Sequence, residues 1–401
     1  MNTDKKISLL LPATGEPLLM YCWLTNLQKY SHHFDNIFVS VDCMGRLNRM
    51  EFIFIQNYLT RLYRKFPNLR DNSEYLVAQH GLNIDLLLNK YEPDIRDNVL
   101  LMEEDDFIIN PKFVTENINE YFDKGYDVLG VGRGSATPYL LDTLLPLVKR
   151  RPNLQIDTTL APDDSAISFW PTFFLTKKNL LVKSSREFYS KTWPAGSVIK
   201  IGDEQVTLDR ECSGDTFVSY AYELYGNPEV KKVKLLSNTP QPIFVPEHAY
   251  PVDQLYRTYH SSLHDNELLD KVIPTSMDFH VGSLSTFISN KFWKPFKGEY
   301  EEHSYMKAMY AQKSQEGSNH NNLSIVEPYR RCLLMREMLN AIKNPKDFEY
   351  YDIYQENLNR TINTYETEND MVSILKLYGI NGLTDGKIDI DKYRTIAKMI
   401  L

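Results

Sequence analysis

Five short apolar runs in the first 135 residues constrain this chain more than any other feature. They are ISLLL (7–11), NIFVSV (36–41), EYLVAQ (74–79), NVLLM (98–102) and DVLGVG (127–132). Each is too short for a buried helix and is bounded by turn or polar residues, the pattern of strands covered on both faces. Amphipathic segments separate them. In MEFIFIQNYLTRLYRKF (50–66), Phe52, Ile55, Leu59, Leu62 and Phe66 fall on one face at three- and four-residue steps, a helical period. Strand and helix in alternation predict an α/β fold with a mostly parallel sheet and helices on both faces.

The fourth run ends abruptly. In NVLLMEEDDFIINPKF, Val99 to Met102 lead straight into Glu103, Glu104, Asp105 and Asp106, and Asn110 and Pro111 follow as an N-cap and first helical position. Ligands of an open parallel sheet bind outside the carboxyl ends of its strands. Adjacent carboxylates repel one another unless a cation compensates them. Oxygen-rich clusters suit Mg²⁺ or Mn²⁺, ions commonly shared between one or two carboxylates and substrate phosphates. The alternative is a solvated loop whose charge favours the dipole of the next helix. A buried strand before the acidic run and a helix cap after it favour a site.

An apolar strand running into Glu104-Asp105-Asp106, then an apolar residue, a short spacer and Pro-x-Phe, resembles the metal-binding signature of GT-A fold glycosyltransferases. The nearest variant is the EDD form of the N-acetylglucosaminyltransferase I type. The resemblance implies that Asp106 ligates a Mn²⁺ or Mg²⁺ ion bridging the donor's diphosphate. Glu104 stands beside it in the motif, and Asp105 faces the ribose or sugar. Glu103 falls outside the pattern. FVSVDCMG (38–45) is similar to the second strand of these enzymes, which places Asp42 near the base or ribose. ISLLLPATGEP (7–17) is similar to their first strand and nucleotide loop, with Pro12, Ala13 and Thr14 near the base. Many relatives carry a basic residue in that loop. Here Glu16 stands there, so phosphate contacts must come from elsewhere. Arg133, in GVGRGS at the end of the fifth run, has a guanidinium suited to phosphate, or is a surface arginine in a turn. The resemblance covers the first third of the chain well, the middle third weakly and the C-terminal part not at all.

Glycosyl transfer to a hydroxyl with inversion needs a carboxylate base within hydrogen-bond reach of the acceptor. The resemblance implies Asp215, in CSGDTFVSYAYEL ahead of a helix whose Phe217, Val218, Ala221 and Leu224 share a face and whose stop is Gly226. An ordinary N-cap formed by Ser213 or Asp215 is the competing reading. His280, in DFHVGS, matches loosely a residue that closes on the metal or diphosphate in several relatives. Trp170, in the predicted strand ISFWPTFFLT, either stacks on a sugar or packs in a core. No phosphate-binding glycine loop, nucleophile elbow or paired-histidine zinc motif is present. His32 and His33 are adjacent and are expected to point different ways.

With 401 residues the chain exceeds one compact core. Residues 1–290 are expected to form a catalytic domain, with 1–135 binding nucleotide and 136–290 acceptor. Residues 291–401 are expected to form a mainly helical appendage with helices around 327–343 and 366–401. A hydrophobic content of 42% fits a folded protein, and a net charge of −8 gives no pull towards nucleic acid or anionic membranes. Four scattered cysteines without a C-x-x-C pair fit a reducing compartment. No apolar run approaches the roughly 18 residues of a membrane span, and the N-terminus has too few apolar residues for a signal peptide, so a cytoplasmic location is expected. The activity expected is transfer of a sugar from a nucleoside-diphosphate sugar, a UDP-sugar foremost, to an acceptor hydroxyl. A nucleotidyltransferase and a non-catalytic nucleotide-sugar-binding module are the alternatives. The acceptor stays open among glycan, lipid, protein and modified nucleic acid, and the C-terminal helices offer a route to a homo-oligomer.

Overall fold

The structure is a computed structural model that describes residues 6–13, 17–42, 57–58, 60–62, 71–76, 80–104, 106–132, 138–158, 169–183, 188, 191–214, 217–236, 278–280, 332–368, 383–384, 387–388 and 390–401. Two units interleave along the chain. Met1–Gly15, Gln28–Asp106 and Pro111–Glu247 form the first, and Glu16–Leu27, Phe107–Asn110 and His248–Leu401 form the second.

The first unit is built on β1 (Ile7–Ala13), β2 (Phe34–Asp42), β3 (Asp71–Leu76), β4 (Asn98–Leu101), β6 (Val128–Gly132), β7 (Gln155–Thr158), β8 (Phe169–Lys177) and β13 (Lys232–Leu236), with β5 (Asp106–Ile108) leaving it after β4. The sheet order is β3-β2-β1-β4-β8-β6-β13-β7. Every neighbour pair is parallel except those of β8, which runs antiparallel to both β4 and β6. This is the mostly parallel α/β architecture that the alternating pattern predicts. All seven residues of β1 are buried, as a strand covered on both faces requires. β3 begins three residues before the apolar run that marks it, because its ladder with β2 opens at Ile37↔Asp71. It lies at the sheet edge, where polar residues are tolerated.

Helices α2 (His80–Tyr91), α3 (Pro111–Lys124), α4 (Pro138–Lys149), α5 (Lys178–Lys183) and α6 (Val218–Gly226) belong to this unit. One continuous core joins Leu10, Phe38, Val99 and Leu101 of the sheet to Ile84, Leu87 and Leu88 of α2, Leu140 and Leu144 of α4, and Tyr220 and Leu224 of α6. α2 covers β2, with the Tyr91 ring 5.1 Å from that of Phe38. The irregular middle of the sequence resolves into short antiparallel pairs. These are β9 (Lys191–Trp193) with β12 (Cys212–Gly214), and β10 (Val198–Ile201) with β11 (Glu204–Thr207). The last is a two-residue hairpin in which Gly202 takes φ 61°, the left-handed conformation that glycine accepts without strain.

The buried charge of Asp127 in this unit is matched. Asp127 receives Lys177 Nζ at 2.5 Å and the backbone N–H groups of Lys231 and Lys232 at 2.8 and 3.0 Å. Burial pushes its carboxyl pKa up, but these donors outweigh it and hold the group below the usual carboxylate range. His32 and His33 occupy a 3₁₀ turn, Ser31–His33, and their rings lie 4.0 Å apart instead of pointing different ways. A 3₁₀ turn is tighter than the strand or α-helix geometry assumed from sequence. His33 is buried against Thr115 Oγ1 at 3.2 Å, and burial, with the neighbouring His32, pushes its pKa down to about 4.

The second unit holds α1 (Pro17–Gln28), whose residues through Leu27 lie in it, α7 (332–341), α8 (Tyr351–Glu368) and α9 (Ile390–Ile400). α1 is apolar nearly all round and buried from Pro17 to Leu24, as such a helix must be. Its Tyr21 ring lies 5.4 Å from Phe348, which in turn packs 5.3 Å from Tyr354 of α8. Glu337, 3% exposed, meets Arg336 at 3.2 Å and Arg394 of α9 at 3.1 Å. The helix expected over 366–401 is interrupted. β15 (Leu383–Thr384) pairs with β16 (Lys387–Ile388), around the sequence Asp385-Gly386, a hairpin signal. α8 goes beyond the expected helices, although Tyr354, Leu358 and Ile362, all buried, recur at the helical step. Among the described residues no helix is long and apolar enough to cross a membrane.

Two tests follow from this packing. A Cβ on Gly130 of β6 would meet Phe174 Cδ2 at 2.9 Å and Phe169 Cδ1 at 3.0 Å, so Gly130→Ala is expected to lower stability by about 1–3 kcal/mol, and an unchanged urea midpoint would refute the close approach. Between pH 6.5 and about 4 the unfolded chain binds a proton that folded His33 does not, so stability falls as pH drops through that window. His33→Gln should flatten that slope by an amount on the order of 2 kcal/mol, read as unfolding free energy against pH.

Candidate functional site

Registers within the first unit decide which chain ends meet. β1 and β2 run in parallel to Ala13↔Val41, and Asp42 follows as the last residue of β2, level with Leu76 of β3. On the other side of β1, Leu10 is level with Leu101 of β4, and Met102 N–H extends the ladder to Leu10 carbonyl at 3.2 Å. The chain then turns, with Asp106 N–H donating to Glu103 carbonyl at 3.2 Å, and β5 begins. The backbone of Pro12, Ala13 and Asp42 and the acidic turn therefore emerge on one edge. Across the sheet β2 and β4 lie two strand spacings, roughly 10 Å, apart, and Asp42 lies four residues, about 13 Å, beyond the level of Leu101.

The acidic turn is not a solvated loop. Glu104 is 2% exposed and Asp106 is fully buried, whereas Glu103 is partly exposed. Buried carboxylates are costly unless opposite charge or hydrogen bonds meet them. α3 starts at Pro111, as the Asn-Pro pair predicts. Asp105 lies outside the described residues, as do Thr14 and Arg133. The strand placement of Asp42 is clear while its side chain is not described.

Two polar residues at this edge were not singled out in the sequence. Ser40 lies two residues before Asp42 and shares its face with Phe38, the face that α2 covers. Asn83 lies one turn into α2, in the stripe of Ile84, Leu87, Leu88 and Tyr91. Eight helical residues from Tyr91, it reaches about 12 Å along the sheet, while Asp42 lies about 13 Å from Phe38. Asn83 is therefore level with the end of β2. Both residues are fully buried, and among the described residues Ser40 Oγ and both ends of the Asn83 carboxamide have no hydrogen-bond partner. A serine in an apolar strand and an asparagine in an apolar helical stripe were the available signals.

The remaining expected residues come from other elements. α6 begins at Val218, not at Asp215, and its N-cap position is Phe217 with φ 78° and no side-chain cap. Neither Ser213, which is in β12, nor Asp215, which lies outside the described residues, fills that position. A left-handed phenylalanine is strained. Its ring packs 4.7 Å from Phe174 and 5.4 Å from Phe188, which holds it there. In the second unit His280 ends β14 (Asp278–His280), the strand paired with β5; its side chain is not described, nor is that of Trp170 in β8. Among the described residues no three His, Cys, Asp or Glu side chains group to hold a metal ion. That set contains neither Asp105 nor the His280 side chain. The buried pair Glu104 and Asp106, with hard oxygen donors, fits Mn²⁺ or Mg²⁺ by ligand type.

No protein-family model matches the chain, and no curated protein matches it. Solved structures do resemble it. One is residues 1–349 of TarS from S. aureus, at 15% identity over 91% of this chain and 92% of that one, with a TM-score of 0.33. Another is the mannosyltransferase PcManGT from Pyrobaculum calidifontis in complex with GDP-Man and Mn²⁺, at 12% identity over 92% and 89%, with a TM-score of 0.35. The same TarS segment in complex with UDP resembles it at 14% identity over 91% and 92%, with a TM-score of 0.30. These superpositions are loose, and a function has to be supported by the chain's own residues.

Asn83→Leu replaces a buried carboxamide, which has no hydrogen-bond partner among the described residues, by an apolar group of similar volume. It is expected to raise stability by about 1–3 kcal/mol, seen as a higher urea midpoint. A fall of that size would mean that the carboxamide is satisfied in solution and serves the fold.

Proposed function

We propose that the chain is a metal-dependent glycosyltransferase that takes a nucleoside-diphosphate sugar, a UDP-sugar foremost, and transfers the sugar to an acceptor hydroxyl with inversion. The observation that carries this reading is the burial of Glu104 and Asp106 on a turn at the carboxyl end of a central parallel strand, where ligands of such sheets bind. The three similar solved structures bear related names, but their likeness to this chain is too loose to add weight.

In this reading Asp106, with Glu104 and His280 near it in role, holds a Mn²⁺ or Mg²⁺ ion. Bound there, the ion supplies Lewis-acid stabilisation of charge on the departing diphosphate. Pro12, Ala13 and Thr14 border the base, Asp42 and Asp105 the base, ribose or sugar, and Arg133 the phosphates. Ser40 and Asn83 supply buried polar groups at the same edge. Asp215 removes the proton from the acceptor hydroxyl. The strained Phe217 two residues on supports that role, because backbone strain clusters where a side chain must be aimed. Residues 136–290 and the C-terminal helices would present the acceptor.

Thermal unfolding with UDP, GDP or CMP, each with Mn²⁺ or with EDTA, tests the reading. Metal-dependent stabilisation by UDP is expected, about 2.7 kcal/mol at 100 times the dissociation constant. No shift with any nucleotide in Mn²⁺ would overturn it. Asp106→Ala should abolish transfer, and Asp215→Asn should leave donor binding intact while turnover falls by at least about 10²-fold. A normal rate in Asp215→Asn would remove that residue from the mechanism. Binding of UDP-sugar with no UDP release by the unaltered chain would identify a binding module of the same fold.

A further inference from the structure

A single asparagine clamps the strand that follows the acidic turn. Asn26, near the end of α1, is 2% exposed. Its Oδ1 accepts from Ile108 N–H at 2.9 Å, and its Nδ2 donates to Ile108 carbonyl at 2.8 Å. The carboxamide thus pairs with one residue of β5 as a neighbouring strand would. Its second Nδ2 proton goes to Ile400 carbonyl at 2.8 Å. Ile400 is the last residue of α9, and the final carbonyls of a helix have no partner within it. Both donors and the carbonyl of Asn26 are therefore engaged, and all four groups are buried in the second unit.

The chemistry singles out asparagine. Aspartate has the same size but no donor, so it would set a carboxylate against two carbonyl oxygens. Leucine would remove all three hydrogen bonds that Asn26 makes to buried backbone groups. Ile108 is two residues from Asp106 on the same three-residue strand, so whatever holds the Ile108 backbone also limits where the Asp106 backbone can go.

We infer that Asn26 is a positioning residue for the acidic turn, and that the carbonyl end of α9 orients its carboxamide for that task. This rests on the proposed metal-nucleotide reading. Asn26 is far from Asp106 in sequence and touches neither donor nor metal in the proposal. It acts on the metal by holding the backbone of its ligand, as hydrogen-bonded outer partners hold ligands in metal sites.

The test compares the unaltered protein with Asn26→Asp and Asn26→Ser by titrating Mn²⁺ at saturating UDP and, separately, UDP at saturating Mn²⁺. The expected result is a rise in the half-saturating Mn²⁺ concentration of roughly tenfold or more, with the UDP requirement at saturating metal little changed. Equal Mn²⁺ requirements in folded variants would overturn the inference and leave Asn26 a packing residue. Should neither variant fold, hydrogen exchange on the unaltered protein decides. Peptides covering 107–110 must exchange more slowly when Mn²⁺ and UDP are added, since coupling between clamp and site is reciprocal; unchanged exchange overturns it. If the unaltered protein shows no Mn²⁺-dependent UDP binding, the functional reading itself fails and the positioning role goes with it.

Discussion

The double pairing of β1 organises the first unit. This strand is buried throughout and forms parallel ladders with β2 on one side and β4 on the other. A one-residue slip in either ladder would turn every side chain of the neighbour to the wrong face. Because one strand sets both registers, the ends of β1, β2 and β4 emerge together. The short antiparallel pairs of the middle region leave those registers unchanged, and β8 contributes phenylalanines to the core while reversing direction between two parallel blocks.

Three buried polar side chains show burial matched by partners. Asp127 meets Lys177 and two backbone N–H groups, Glu337 meets two arginines, and Asn26 meets three backbone groups. Among the described residues Ser40 Oγ and the Asn83 carboxamide, near the carboxyl edge of the sheet, and the Tyr222 hydroxyl of α6 have no hydrogen-bond partner. Natural sequences break local rules mainly at functional or strained positions. The left-handed Phe217 is a second departure, and it too falls next to a residue assigned a role. A donor sugar nucleotide bound at this edge, as proposed, would offer partners to Ser40 and Asn83.

How far the sequence could be read depended on whether a feature was local. β1, β2, β4 and β6 announce themselves because both faces are buried and the apolar run is unbroken. β3 was displaced in the reading because an edge strand needs no such run. The acidic turn was visible as four carboxylates, but not which of them are buried. Glu103 and Glu104 are neighbours in the same sequence pattern and differ in exposure, since the turn aims one outward and the other inward. His32 and His33 looked divergent only because a 3₁₀ turn leaves little mark in a sequence.

The alternation of apolar and amphipathic segments was enough to determine an α/β fold with a mostly parallel sheet, and the run Glu103–Asp106 was enough to place a candidate site at the end of its fourth strand. Both are properties of neighbouring residues. Tertiary structure alone decided that Glu16–Leu27 joins the C-terminal helices in one unit, that Phe217 occupies the position ahead of α6, and that Asn26 holds Ile108 and Ile400 at once. Those facts depend on residues up to 374 positions apart. An asparagine in a helix has the same local signature whether it faces solvent or clamps a strand, so only the folded chain could tell the two apart.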